Sequence, residues 1–140
     1  MKDYLKELDP GLVYIKHVIE KGILKIYCES LPVPDKPIHS RQERIVRDLP
    51  YGEHKVELHI IAKKYFNPDA TAKKRTIAER FEFVHGRGRR TKRLEEWLVR
   101  MSAQMSSIGL ERLVRKQVVD ISDSTIIRIV KKNIGDSPKL

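Results

Sequence analysis

The spacing of apolar residues changes period part-way along this chain of 140 residues. In GLVYIKHVI (11–19) and GILKIYC (22–28), short β-branched and aromatic runs meet at EKG, which predicts a hairpin. Leu24, Ile26 and Cys28 share one face of the second run at period two. LPVPDKP (31–37) follows, and its three prolines exclude helix and central strand alike. QERIVRDLP (42–50) and HKVELHIIAKKYF (54–66) flank YGE, a second predicted hairpin. Here Val56, Leu58, Ile60 and Ala62 alternate with Glu57, His59 and Lys63, the pattern of a half-buried strand with the latter three toward solvent. NPDATAKK reads as a polar loop, and RTIAERFEFV (75–84) as a last short strand.

Beyond residue 90 the period becomes helical. Thr91 is a credible N-cap, and Leu94, Trp97, Leu98, Met101 and Met105 follow at spacings of three and four. A second helix is predicted over about 107–116, with Leu110, Leu113 and Val114 inward. A third begins in ISDSTIIRIVKKN, where Ser122 is placed to cap it and Lys131 and Lys132 complement the dipole in its last turn. Ile126, Ile127 and Val130, with Ile129 as a further candidate, are expected inward. Three short helices with a tight final connection suggest a helix-turn-helix. The predicted fold is α+β: a small antiparallel β unit followed by a three-helix helix-turn-helix bundle. Residues 1–84 form the β-rich part, 85–134 a basic arm plus the helix-turn-helix, and 135–140 a tail.

Composition narrows the function. With 40% hydrophobic and 34% charged residues the chain is expected to fold. No apolar run approaches the roughly 20 residues of a membrane span, and MKDYLKELDPG lacks the apolar stretch of a signal peptide. Cytoplasm is therefore the expected compartment. A single cysteine, Cys28, excludes an internal disulfide framework and an all-cysteine metal site, and is expected to act as a half-buried small hydrophobe.

The formal net charge is +10, and it is unevenly placed. Residues 85–132 hold twelve Lys or Arg against five Asp or Glu, whereas residues 1–84 hold sixteen against thirteen. A surplus gathered in one third of the chain is the footprint of a polyanion binder. Its densest part is HGRGRRTKR (85–93), five cations in nine residues at the mouth of a helix. The helix dipole disfavours cations there, so an outside partner is expected to compensate. Arg87, Arg89, Arg90, Lys92 and Arg93 read as a flexible arm suited to a narrow minor groove. On the third helix, Ser124, Thr125, Arg128, Lys131 and Lys132 point outward. Hydroxyls and arginine suit base edges, and the lysines suit phosphates. The arm also reads as a solvated linker, and the helix as the surface of a plain bundle.

Strung together, HSRQERIVRDLPYGEHKVELHIIAKKYF, KRTIAERF, GRGRRTKRL and ISDSTIIRIVKK resemble the N-terminal region of insertion-sequence transposases of the L-three family. The likeness spans about residues 8–133. It implies a zinc-ribbon-like β unit ahead of a helix-turn-helix, and an acidic-triad nuclease domain after it. Two departures stand out. Of the family's four cysteines only Cys28 remains; Leu31 stands three residues on, and neither Asn67 nor Ala72 is a thiol. With His39 the sole extra donor nearby, no zinc and no other cofactor is expected, since tetrahedral zinc needs four donors. The acidic triad is absent from these residues, and no nucleophile–base pairing or phosphate-binding loop replaces it. The chain is thus expected to have no catalytic residues. The leading expectation is a stand-alone, sequence-preferring double-stranded DNA-binding protein, acting at promoters or transposon ends. Homodimerisation is open, because paired half-sites are common among such proteins. The alternative is a module or inhibitor whose partner is another protein.

Overall fold

The computed structural model describes residues 1–69 and 71–135. A short helix, α1 (Lys2–Leu8), opens the chain. The strands are β1 (Leu12–Glu20), β2 (Ile23–Ser30), β3 (Ile38–Tyr51), β4 (His54–Phe66) and the three-residue β5 (Thr76–Ala78). Three helices follow: α2 (Lys92–Ser102), α3 (Ser107–Gln117) and α4 (Asp123–Gly135). Of the expected tail, residues 136–140 lie outside the described residues.

Both predicted hairpins form. Lys21 and Gly22 take φ of 52° and 78°, the positive values that a two-residue hairpin turn demands, and close Glu20 onto Ile23. Which strands become neighbours is less obvious. The sheet order is β1-β2-β4-β3, with β4 antiparallel to β3 but parallel to β2. The proline-rich loop carries the chain from β2 past the place of β4 to the far edge, and β4 then enters between its neighbours. Its consecutive buried residues Leu58, His59 and Ile60 suit that central position. β5 extends the pairing of β4 at Lys64–Phe66, beyond the end of β2.

The sheet buries Leu24, Ile26, Cys28, Val46, Val56, Leu58 and Ile60 against Leu5, Leu12, Phe81, Phe83 and Val84. Seven residues are too few for a helix stable alone; α1 is held by Leu5, fully buried, whose burial contributes about 2 kcal/mol. The strand expected across 75–84 ends at Ala78, and Phe81, Phe83 and Val84 plug the core as irregular chain.

The helices build a second core from Leu94, Leu98, Leu110, Val114, Val118, Val119, Ile121, Ile126 and Ile129, and Leu49 of β3 packs into it. Ile126 and Ile129 are buried and Val130 packs against them as expected, whereas Ile127 is 38% exposed, because the inward stripe of α4 runs through 126, 129 and 130. Lys55 on β4 donates to the Arg115 carbonyl and to Asp120 Oδ1 at 3.0 Å, tying the α3–α4 connection to the sheet. The predicted fold class is therefore overturned. A mixed five-stranded sheet with helices before and after it replaces the small antiparallel unit and its separate three-helix helix-turn-helix bundle.

Three side chains also depart from expectation. His59 is buried rather than solvated: it stacks on Tyr27 and contacts Glu43 Oε1 at 2.6 Å and Glu57 Oε1 at 3.2 Å. Lys63 is 1% exposed, its ammonium turned onto the Ser30 carbonyl and hydroxyl and onto Glu29 at 3.3 Å. Cys28 is fully buried, and burial pushes its thiol up to about 12.

Candidate nucleic-acid interface

The junction between sheet and helices is organised by one carboxylate. Asp48 is fully buried on the core side of β3. Its Oδ1 accepts from the Thr91 hydroxyl at 2.6 Å and from Arg93 Nε at 2.9 Å. Its Oδ2 accepts from Tyr4 Oη and from the Arg93 guanidinium. Burial alone would raise the Asp48 carboxyl; the hydrogen bonds from Arg93, Thr91 and Tyr4 and the Arg93 charge outweigh it and hold the group below its ordinary range. Arg93 is raised in turn, mainly by its hydrogen bond to Asp48. Thr91, also fully buried, caps α2 by accepting from the Leu94 amide at 3.3 Å. Asp48 thereby joins α1, β3 and the first turn of α2.

The basic run ahead of α2 is docked rather than free. β3 is an edge of the sheet, and the arm pairs with it. The Arg47 amide donates to the Arg89 carbonyl at 2.8 Å, and the Thr91 amide returns a bond to the Arg47 carbonyl at 2.9 Å. Arg47 and Arg90 thus form a parallel bridge. Upstream, the Arg44 guanidinium donates to the carbonyls of Gly86 and Gly88 at 2.7 and 2.9 Å. Both glycines are required by geometry. Gly86 has φ of 49°, and a Cβ on Gly88 would lie 2.8 Å from the His85 carbonyl oxygen. The flexible arm expected from the glycines is, in this fold, held to the edge of β3 by one isolated parallel bridge and the Arg44 tether.

The ten candidate residues fall into three groups. Arg93 is spent on Asp48 and so faces the interior network. Ser124 and Thr125 lie at the start of α4, where their hydroxyls contact the Ser122 hydroxyl at 3.1 and 2.8 Å. Ser122 also accepts from the Thr125 amide at 3.2 Å, capping the helix. Arg87, Arg89, Arg128, Lys131 and Lys132 are exposed, and Lys92 and Arg90 half-buried. Arg90 is the meeting point of arm and helix. Burial first, then the charges of Arg128, Arg47 and Arg89, depress its guanidinium against the opposing pull of Glu95. Arg128 therefore lies within electrostatic reach of Arg90. Ile127 flanks it on α4, partly exposed.

No family model, curated protein or solved structure matches this chain. Among the described residues, no three His, Cys, Asp or Glu side chains are grouped to hold a metal ion. No described helix is long and apolar enough to cross a membrane. Sequence reasoning missed Arg47, Arg44 and Asp48. A signal existed: Arg44 and Asp48 share the period-two face of Val46, and charged residues on an apolar strand face call for internal partners.

Proposed function

We propose that this chain binds double-stranded DNA, chiefly through its phosphates, using the docked arm, Arg47 and the outward side of α4. The observation that carries the reading is the basic run fixed on the β3 edge by its backbone bonds to Arg47, which sets Arg89 and Arg90 beside that strand, with Arg128 of α4 within electrostatic reach of Arg90. A backbone fixed by pairing with β3 holds two of these side chains at low entropic cost, which favours contact with a regularly charged rod. Phosphate contacts position a protein without reading sequence. Sequence preference then falls to Arg128, with Ser124 and Thr125, if α4 reaches base edges. The motif order that resembles L-three-family transposases agrees with a role at promoters or transposon ends, in the cytoplasm and without chemistry of its own.

The test is duplex binding across a salt series. With about six phosphates neutralised, log affinity should fall against log salt with a slope of about −5. A flat slope, or no binding at low salt, removes the proposal. Nuclease-resistant capture of a protein in that case would favour the interaction-module reading.

A further inference from the structure

The two edges of the sheet are finished differently. β3 is met by the basic run, bonded through the backbone at Arg47, and by the Arg44 tether. β1 pairs with β2 along one side, and among the described residues no strand lies along its other side. An uncovered edge offers a row of backbone N–H and C=O groups to another strand, and proteins ordinarily defend it by shortness, proline or lysine. β1 runs for nine residues without a proline, and Val13, Ile15 and Ile19 on it are 45%, 46% and 55% exposed. Its single lysine, Lys16, is matched by an acid, Glu20. A bulge between Tyr14 and Lys16 interrupts the strand and leaves Lys16–Glu20 as its regular stretch.

Within that stretch Lys16, Val18 and Glu20 face away from the core. They stand opposite Tyr27, Lys25 and Ile23 of β2, out of phase with the buried Leu24, Ile26 and Cys28. Lys16, His17, Ile19 and Glu20 are exposed and Val18 is half-buried. The Lys16 ammonium lies over the Tyr27 ring at 4.9 Å, with no carboxylate partner among the described residues. Glu20 gives only Oε2 to Lys25, at 3.0 Å, and its side chain stays 61% exposed. Two antiparallel copies of this stretch centred on Val18 set Lys16 of each against Glu20 of the other. Val18 then meets Val18 between them, and His17 meets Ile19 on the opposite face. Centring on Lys16 would put two ammoniums together, and centring on His17 would set Lys16 against Val18 and Glu20 against Tyr14. Opposite charges directly across antiparallel strands are favourable and like charges are not, so the Val18-centred register is selected.

We infer that β1 is a self-association edge: two copies of this chain pair antiparallel through Lys16–Glu20, joining their sheets into one. A twofold contact needs a surface complementary to itself, and this stretch meets that need in charge and in apolar side chains. Five residues a side fall well short of the roughly 20–30 of a stable interface, so the dimer is weak, with a dissociation constant on the order of 100 µM. The net charge of +10 opposes it further at low salt. The inference stands apart from the DNA reading and needs no nucleic acid.

The experiment follows the full chain by sedimentation equilibrium from about 10 µM to about 1 mM near physiological ionic strength, with amide shifts recorded over the same range. Lys16→Glu and Glu20→Lys each bring like charges together at both ends of the pairing, and the double reversal restores opposite charges. Thermal melts establish that the variants fold, as changes at two exposed side chains should allow. The expected result is association with concentration-dependent shifts gathered at residues 16–20. Each single variant should loosen it about tenfold or more, and the double reversal should recover it to within about threefold, which damage to the strand would not do. A chain monomeric up to about 1 mM, or a dimer whose shifts fall on the helices instead, would overturn the inference. Failure of the double reversal to recover would overturn the Val18-centred register and with it the choice of a second copy.

Discussion

Asp48 and Arg90 stand one strand apart, on β3 and on the arm docked to it, yet they handle charge in opposite ways. Around Asp48 every charge is matched: a fully buried carboxylate takes hydrogen bonds from Tyr4, Thr91 and Arg93. Around Arg90 the charges of Arg128, Arg47 and Arg89 work against its guanidinium, and Glu95 pulls the other way. The first arrangement contributes to folding. The second costs the isolated chain something, which the polyanion proposed as its partner would offset. A count of cations along the sequence treats Arg93 and Arg90 alike, although they lie three residues apart and serve different ends.

That contrast is open to attack in order of expected size. Asp48→Asn should be the most damaging single change, because it leaves Arg93 and the Thr91 hydroxyl facing a neutral amide in a buried site. Removing one partner of a buried pair costs about 3–5 kcal/mol. Arg93 is partly exposed, at 32%, so the lower end applies. Urea denaturation checks this, and a loss under about 1 kcal/mol would mean the network is peripheral.

The same network sets an acid limit. The Asp48 carboxyl is held below its unfolded value by its hydrogen bonds and by Arg93, against burial. A group depressed on folding contributes stability above its unfolded pKa, near 4, and loses it as pH falls through the folded value. Stability measured from pH 6 downward should therefore decline below about pH 4, and Asp48→Asn should flatten that part of the curve. An unchanged profile in the variant would assign the acid loss elsewhere.

Thr91→Ala removes both the cap on Leu94 and one donor to Asp48, an expected loss of about 1–2 kcal/mol. At the small end, Arg89→Ala and Arg128→Ala should change stability by no more than about 0.5 kcal/mol, since neither side chain has an internal partner among the described residues. A clear destabilisation by either would blur the distinction between structural and binding cations.

Periodicity read the local elements well and their assembly poorly. Thr91 capping α2, Ser122 capping α4 and the Lys21–Gly22 turn were legible because each depends on neighbours within a few residues. The parallel pairing of β2 with β4 was not, since alternation at Leu24–Cys28 and at Val56–Ala62 names a buried face without naming the strand alongside. His59 and Lys63 read as solvent-facing for the same reason. Their partners, Glu43 for one and Ser30 with Glu29 for the other, come from adjacent strands. The basic run was legible as charge but not as a segment docked on β3. Its tether, Arg44 on the Gly86 and Gly88 carbonyls, reaches across more than forty residues of sequence. No local pattern carries that contact.

The central claim is that the unpaired arginines around Arg90 are the ones that meet DNA. It is tested most directly by the salt dependence of duplex affinity for the native chain and for an Arg90→Ala/Arg128→Ala double variant. The account predicts that the double variant stays folded, binds more weakly at every salt concentration, and has a log–log slope shallower by about 2. An identical slope in the two proteins would contradict it.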